Sequence, residues 1–381
     1  MSVYQYYEFQ AIDRPLTGKE MAELRACSTR AQITPTSFVN DYSWGNFKGD
    51  EDAWMEKYFD AFLHLANWGT HVFKLRLPAR LLNLRTARPY CRGDRAAARE
   101  KNGMVILTFL SEDEEGSEWV EGESHLSSLI SVRAELARGD LRSLYLGWLL
   151  CAQRGDLDDD EIEPPVPAGL AQLSASLESL VEFLRIETDL VAAAAAASAP
   201  LVQLEPKAAE VTEWLARLPL AERDALLARL IAGNDGALAN ELAQRVRRER
   251  GGDPGKGELV VIRRTVAELL AVAEQASGER RRIAAEKAAK EKARRERDAA
   301  RARAKHLDRL AGKEPKLWKK VDGLIATKLP KSYDQAVEVL VELRDLAAGK
   351  DGADFRSRIE ELRATHARKP SLLDRLGKAR M

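Results

Sequence analysis

The sequence predicts an α+β N-terminal domain followed by all-α regions that include a long charged helix and a small C-terminal helical bundle. Three observations carry this prediction. Nineteen of the 24 Trp, Tyr and Phe residues precede residue 150, and large rings dominate core energetics, so the main core belongs there. Residues 258–311 hold no proline and a single glycine, and their later half is almost wholly Ala, Glu, Lys and Arg, which cost little in a helix. Beyond residue 165, apolar residues recur at three- and four-residue spacing, as on one helix face. Composition sets the boundaries: an α+β domain at 1–153, an acidic, proline-containing linker at 154–167 and a helical domain at 168–250. A glycine linker at 251–257, the long helix at 258–311 and the bundle at 312–381 complete the chain.

In order, VYQYYEFQAI is rich in β-prone residues and reads as a strand. Arg14-Pro15 ends it, and Thr17 caps a helix through Cys27 that sets Met21, Leu24 and Cys27 on one side. ITPTSFVNDYSWGNFKGDED reads as a loop by its Pro, Asn, Asp and Gly content, with Phe38, Tyr42, Trp44 and Phe47 packing it down or forming a surface. EDAWMEKYFDAFLHLAN spaces Trp54, Tyr58, Phe62 and Leu65 as one buried amphipathic helix. HVFKLRLP alternates as a half-buried strand stopped by Pro78, and GMVILTFLSEDE reads as a central strand. HLSSLISVRAELARGDLRSLYLGWLLCAQRG reads as two helices joined at Gly139-Asp140.

DLDDDEIEPPVPAG reads as a solvated hinge, and Leu170, Leu173, Leu177, Leu180 and Leu184 as a helical stripe. Further helices follow around Trp214, over Leu220 to Ile231 and over Leu238 to Arg250. Four short amphipathic stretches make up the tail, with Ser332 capping the second. Leu324, Val337, Leu340, Leu343, Ile359, Leu362 and Leu372 form its core.

Sixty Lys and Arg balance sixty Asp and Glu, so no global field argues for nucleic acid or a membrane surface. Sign asymmetry along the chain carries any such claim: acids gather at 112–123 and 156–163, bases in the long helix and after it. Three scattered cysteines fit a reducing, cytoplasmic setting. The opening residues lack a signal-peptide pattern, and no apolar run approaches the roughly 20 residues of a membrane span.

Chemistry is sparse. Asp60 and His64 stand four apart on the helix expected there, with Asn67 and His71 beyond, the best metal-like or catalytic spacing in the chain. Burial in an aromatic core is the competing reading. Ser28, Cys91 and Cys151 lack a nucleophile elbow, DLDDDEIE misses a calcium-loop register, and GGDPGKG misses the phosphate-loop pattern. No cofactor or metal is expected.

From Glu279 to Arg309 thirteen bases face six acids, and Glu286 with Lys290 and Glu291 with Arg295 are favourably oriented helix pairs. Arg280, Arg281, Arg282, Lys287, Lys290, Arg294, Arg295 and Arg297 are candidate partner-binding residues, as is Trp119 within its acidic run, which could dock a basic partner or the basic helix itself. A coiled coil requires an apolar seam. After Ile283 that seam is alanine and charge, which speaks against a tight dimer and leaves looser self-association open.

The opening YQYYEFQAIDRPLT, with STRAQIT and ANWGTHVFKLRLP, resembles a family of uncharacterised bacterial cytosolic proteins whose members start with this block, a resemblance that implies no activity. LIATKLPKSYDQAVEVLVELRDLA through HARKPSLLDRL is similar to C-terminal segments of bacterial proteins, some associated with SWIM-type zinc fingers. The Cys-x-Cys and Cys-x-His pairs of that zinc site are missing from this chain. The expected function is a non-enzymatic adaptor that presents a helical arm and a helical module to a protein partner. The alternatives are nucleic-acid binding through the basic helix, and an enzyme using Asp60, His64 and His71.

Overall fold

The structure is a computed structural model that describes residues 4–113, 125–201, 208–232, 237–249, 264–348 and 352–381. The first stretch forms β1 (Gln5–Gln10), α1 (Gly18–Cys27), β2 (Gln32–Ile33), β3 (Ser37–Tyr42), α2 (Glu51–Lys57), β4 (Ala61–Ala66), β5 (His71–Pro78), α3 (Leu84–Ala87), β6 (Ala96–Lys101) and β7 (Met104–Ser111). The strands make one antiparallel sheet in the order β2-β3-β1-β4-β5-β7-β6. Thr17 begins α1 as expected, its hydroxyl accepting from the Glu20 N–H while the Glu20 carboxylate accepts from the Thr17 N–H.

Two expectations fail here for physical reasons. The segment 51–66 is not one helix: α2 stops at Lys57, where the Trp54 carbonyl takes both the Tyr58 and Phe59 N–H groups, and β4 follows. Every residue of β4 is buried, because β1 and β5 flank it and both faces are covered. A strand buried on both faces shows no period of two, so its apolar run mimics a helix. The expected loop 33–52 contains β3, which pairs along β1 and carries the fully buried Phe38. Phe47 stacks on Tyr7 at 4.9 Å, whereas Trp44 is 69% exposed under the Arg30 guanidinium.

Unexpectedly, the alanine-rich 96–101 also forms a strand. Asn102 and Gly103 both take positive φ, 54° and 72°, as a two-residue hairpin requires, and they fold β6 onto β7.

Next come α4 (His125–Leu129), α5 (Ser131–Ala137), α6 (Arg142–Gln153), α7 (Ala175–Leu184) and α8 (Thr188–Ala195). They cover the sheet face bearing Leu63, Leu65, Phe73, Leu75, Leu77 and Phe109, and share one core with it. Gly147 lets α6 approach this sheet, since a Cβ there would lie 2.5 Å from the Phe109 ring. The opposite face packs Tyr7, Phe9, Phe38 and Phe62 against Trp54 and Phe59. The acidic, proline-containing segment expected as a solvated hinge is instead packed, with Leu157, Glu163 and Val166 buried.

Then α9 (Ala208–Arg217), α10 (Leu220–Ala232) and α11 (Leu238–Glu249) gather around Trp214, Leu218 and Val246. Gln244 holds α11 to the head, donating to the Leu81 and Ala137 carbonyls at 3.2 and 2.6 Å. The long helix α12 (Val266–Leu310) starts with Thr265 and Glu268 exchanging cap hydrogen bonds, and it buries Val266, Leu269 and Ala273 in the main core. From Gly278 to Lys290 every side chain is exposed.

The chain divides into two compact units, Met1–Arg280 and Arg281–Met381, with the boundary inside α12. The second unit contains α13 (Glu314–Ala326), α14 (Pro330–Ala348), α15 (Ala353–Thr365) and α16 (Pro370–Lys378). Their core holds Leu340, Leu343, Ile359, Leu362 and Leu372, as expected, together with Val321, Ile325 and Tyr333, while Leu324 and Val337 pack at its edge. Ser332 is not a cap, because α14 begins at Pro330 and places Ser332 in its first turn. No helix among the described residues is long and apolar enough to cross a membrane.

Candidate functional site

The register of β4 against β5 decides the fate of Asp60, His64 and His71. His64 lies opposite Val72, and His71 opposite Leu65. Side chains alternate across a sheet, so the two histidines project from opposite faces. Their expected convergence, and the helical spacing of Asp60 and His64, are corrected by this pairing. Asn67 is also elsewhere, its Oδ1 accepting from the Tyr4 N–H at 3.0 Å. Among the described residues no group of three His, Cys, Asp or Glu is arranged to hold a metal ion.

Each of the three is occupied by packing. Asp60 is 1% exposed, and its Oδ1 accepts from Arg76 Nε and Nη2 at 3.1 and 2.8 Å. Its Oδ2 accepts from the Ile12 and Asp13 N–H groups at 2.7 and 2.9 Å. Lys74 and Arg76, on the face of β5 expected to be exposed, are buried beneath α2: Lys74 pairs with Glu51 at 3.1 Å and Asp52 at 2.8 Å. His71 sits between β5 and the end of α7. Its Nδ1 lies 2.7 Å from the Phe183 carbonyl and its Nε2 2.9 Å from Arg185 Nη2, so the neutral ring donates through Nδ1 and accepts at Nε2. His64 stacks on Tyr7 at 4.3 Å, and its buried Nε2 meets no hydrogen-bond partner among the described residues.

Burial pushes both histidines down from 6.5 to about 4, helped at His64 by Lys74 and at His71 by Arg185, while the Phe183 carbonyl opposes the fall at His71. The sign follows. Between pH 6.5 and 4 the unfolded chain binds these protons and the folded chain does not, so stability falls as the pH drops through that window. His64→Phe, which keeps the stack on Tyr7 and removes the proton site, is expected to match the parent at pH 7.5 and to exceed it at pH 5, measured by urea unfolding at both pH values. A parent and variant with identical pH dependence would oppose this account of His64.

Burial raises the Cys91 thiol to about 12 and that of Cys151 to about 11, so neither of these two is a ready nucleophile. A second buried polar group escaped the sequence reading altogether. The Glu163 carboxylate accepts from the Tyr145 hydroxyl and from Arg264 Nε and Nη2, both at 2.9 Å, and Arg264 also reaches the Ala193 carbonyl at 3.2 Å.

Of the basic candidates, Arg280 pairs with Asp189 at 2.5 Å, and Arg294 and Arg295 share Glu291 at 3.1 and 3.2 Å. Arg281, Arg282, Lys287, Lys290 and Arg297 are exposed. Trp119, with the acids from Glu114 to Glu123, lies outside the described residues.

One feature of the second unit went unforeseen. A cleft of about 440 Å³ between the end of α14, the start of α15 and residues 380–381 is rimmed by Arg344, Arg356, Arg363 and Arg380, with Glu360 the one acid in its lining. Its floor is apolar, formed by Phe355, Ile359 and Met381. Arg356 and Arg363, seven apart on α15, form the one part of it that periodicity could have shown. Compared with known proteins, the chain matches no family model, no curated protein and no solved structure.

Proposed function

We propose that the protein is a non-enzymatic adaptor of the bacterial cytoplasm whose second unit, Arg281–Met381, docks a protein partner, in keeping with the resemblance of its opening block. One contrast supports this reading. The ionisable groups that suggested chemistry, Asp60, His64 and His71, are taken up in packing, whereas the second unit offers solvent a rim of arginines over an apolar floor. Pull-downs with the full chain and with a chain truncated after Arg280, both verified as folded by circular dichroism, test it. Partners retained by the full chain and lost on truncation are expected; identical partner sets would count against the adaptor.

A second reading, contact with nucleic-acid phosphates through α12, is favoured by the exposure of Arg281, Arg282, Lys287 and Lys290. Such contact makes affinity fall steeply with salt. Retention of duplex or single strands that does not weaken across a salt series would remove it.

A further inference from the structure

We infer that the arginine-rimmed cleft of the second unit is a receptor for an acidic peptide segment with an apolar anchor. This rests on the adaptor reading and names the chemistry of the partner. The cleft lining carries four guanidiniums and the carboxylate of Glu360, with Asp345 facing Arg344 Nε at 3.5 Å, so positive groups are in excess. Two of the four also shape the wall. Arg344 Nη1 donates to the Ala379 carbonyl at 3.0 Å, and Arg363 donates to a main-chain oxygen of Met381. Both therefore stay in place as parts of the wall with their charge partly matched, and the positive excess rests on the other two. Arg356 and Arg380 are exposed and meet no acid or hydrogen-bond acceptor among the described residues, which leaves their planar forks available for carboxylates.

Helix ends do not alter this sign. α15 begins at the cleft with no side-chain cap on its first N–H groups, a positive end, but the carboxyl end of α14 opposes it with a negative partial charge of similar size. The guanidiniums decide.

The floor separates a peptide from other anions. Phe355 is engaged with Trp318 at a centroid distance of 5.9 Å, and Arg358 covers the Trp318 ring at 5.2 Å. These rings are therefore not free platforms for nucleobases, on which single-strand binding relies. An aliphatic or aromatic side chain entering over Ile359 and Met381 needs no such platform. A small organic anion fits less well, since small-molecule sites bury most of their ligand and this rim is exposed.

The test is fluorescence anisotropy with the full chain and a labelled twelve-residue peptide of Asp and Glu around a central Leu. The same peptide with Gly at the centre and a labelled single-stranded oligonucleotide serve as comparators. Saturable binding is expected, weaker for the Gly peptide and reduced about tenfold in the Arg356→Glu/Arg380→Glu variant. Both positions are exposed, so the variant is expected to melt like the parent, which circular dichroism checks. Absence of binding, equal binding by the variant, or tighter binding of the oligonucleotide lost in that same variant would overturn the inference. If truncation after Arg280 removes a partner that this variant retains, the cleft is wrong and the adaptor stands. If truncation changes nothing, the adaptor itself fails.

Discussion

Asp60→Ala is expected to destabilise the first unit by about 3–5 kcal/mol, seen as a lower urea midpoint by far-UV circular dichroism. The carboxylate closes two circuits at once. One oxygen neutralises Arg76, whose side chain is 11% exposed, and the other satisfies two main-chain N–H groups just after β1. Removing it leaves a buried guanidinium with the Glu56 carbonyl, at 2.8 Å, as its one remaining acceptor among the described residues, with Arg133 Nη2 a further positive group 3.9 Å from the vacated oxygen. Like charge is thus uncovered together with unsatisfied donors, which is why the cost exceeds that of an ordinary core truncation. Asp60→Asn keeps an acceptor but loses the charge, and is expected to fall between the two. A midpoint unchanged in Asp60→Ala would show that the pair contributes nothing and would reopen Asp60 as a functional group.

What was legible in the sequence depended on range. The Thr17 cap of α1, the alternation of β5 and the long run of helix formers in α12 are local signals, and they predicted their elements. The Asn102-Gly103 hairpin was equally local and was missed because the alanines of β6 have little β propensity of their own. β4 was hidden for a different reason: its neighbours β1 and β5 come from both sides of it in sequence, and complete burial erases periodicity. Burial of Lys74 followed from α2 lying over β5, a tertiary fact. At the candidate site, metal-like spacing singled out Asp60, His64 and His71. Only the strand register could show that the two histidines part across the sheet. The cleft illustrates the same limit, since Arg344 and Arg380 meet Arg356 and Arg363 only once the bundle has closed.

Glu163→Ala is expected to cost a similar amount, about 3–5 kcal/mol, by the same logic of an uncompensated buried charge. The Glu163 side chain is wholly buried and that of Arg264 is 15% exposed. Around them the main chain adds its own links: the Glu163 N–H donates to the Arg264 carbonyl at 2.9 Å, and Ile162 bridges to Thr265. The proline-containing segment is therefore held to the start of α12 by one ion pair and its adjoining hydrogen bonds, with the Tyr145 hydroxyl as third member. Burial and the neighbouring carboxylate both push the Tyr145 phenol upward, so it remains a donor throughout the physiological range. Glu163→Ala removes the carboxylate that accepts from both Tyr145 and Arg264 and leaves Arg264 the Ala193 carbonyl. Amide exchange at Val266 and Ala267, whose N–H groups bond to the Glu161 and Asp159 carbonyls at 3.0 and 3.1 Å, is expected to rise before that of β4. Replacing the whole group, as Tyr145→Phe/Glu163→Leu/Arg264→Met, removes the charges and the orphaned hydroxyl together. This triple variant is expected to recover most of the lost stability, because apolar replacement of a complete buried ion pair is often neutral. A triple variant no more stable than Glu163→Ala would show that geometry specific to the carboxylate, rather than charge compensation, fastens this segment.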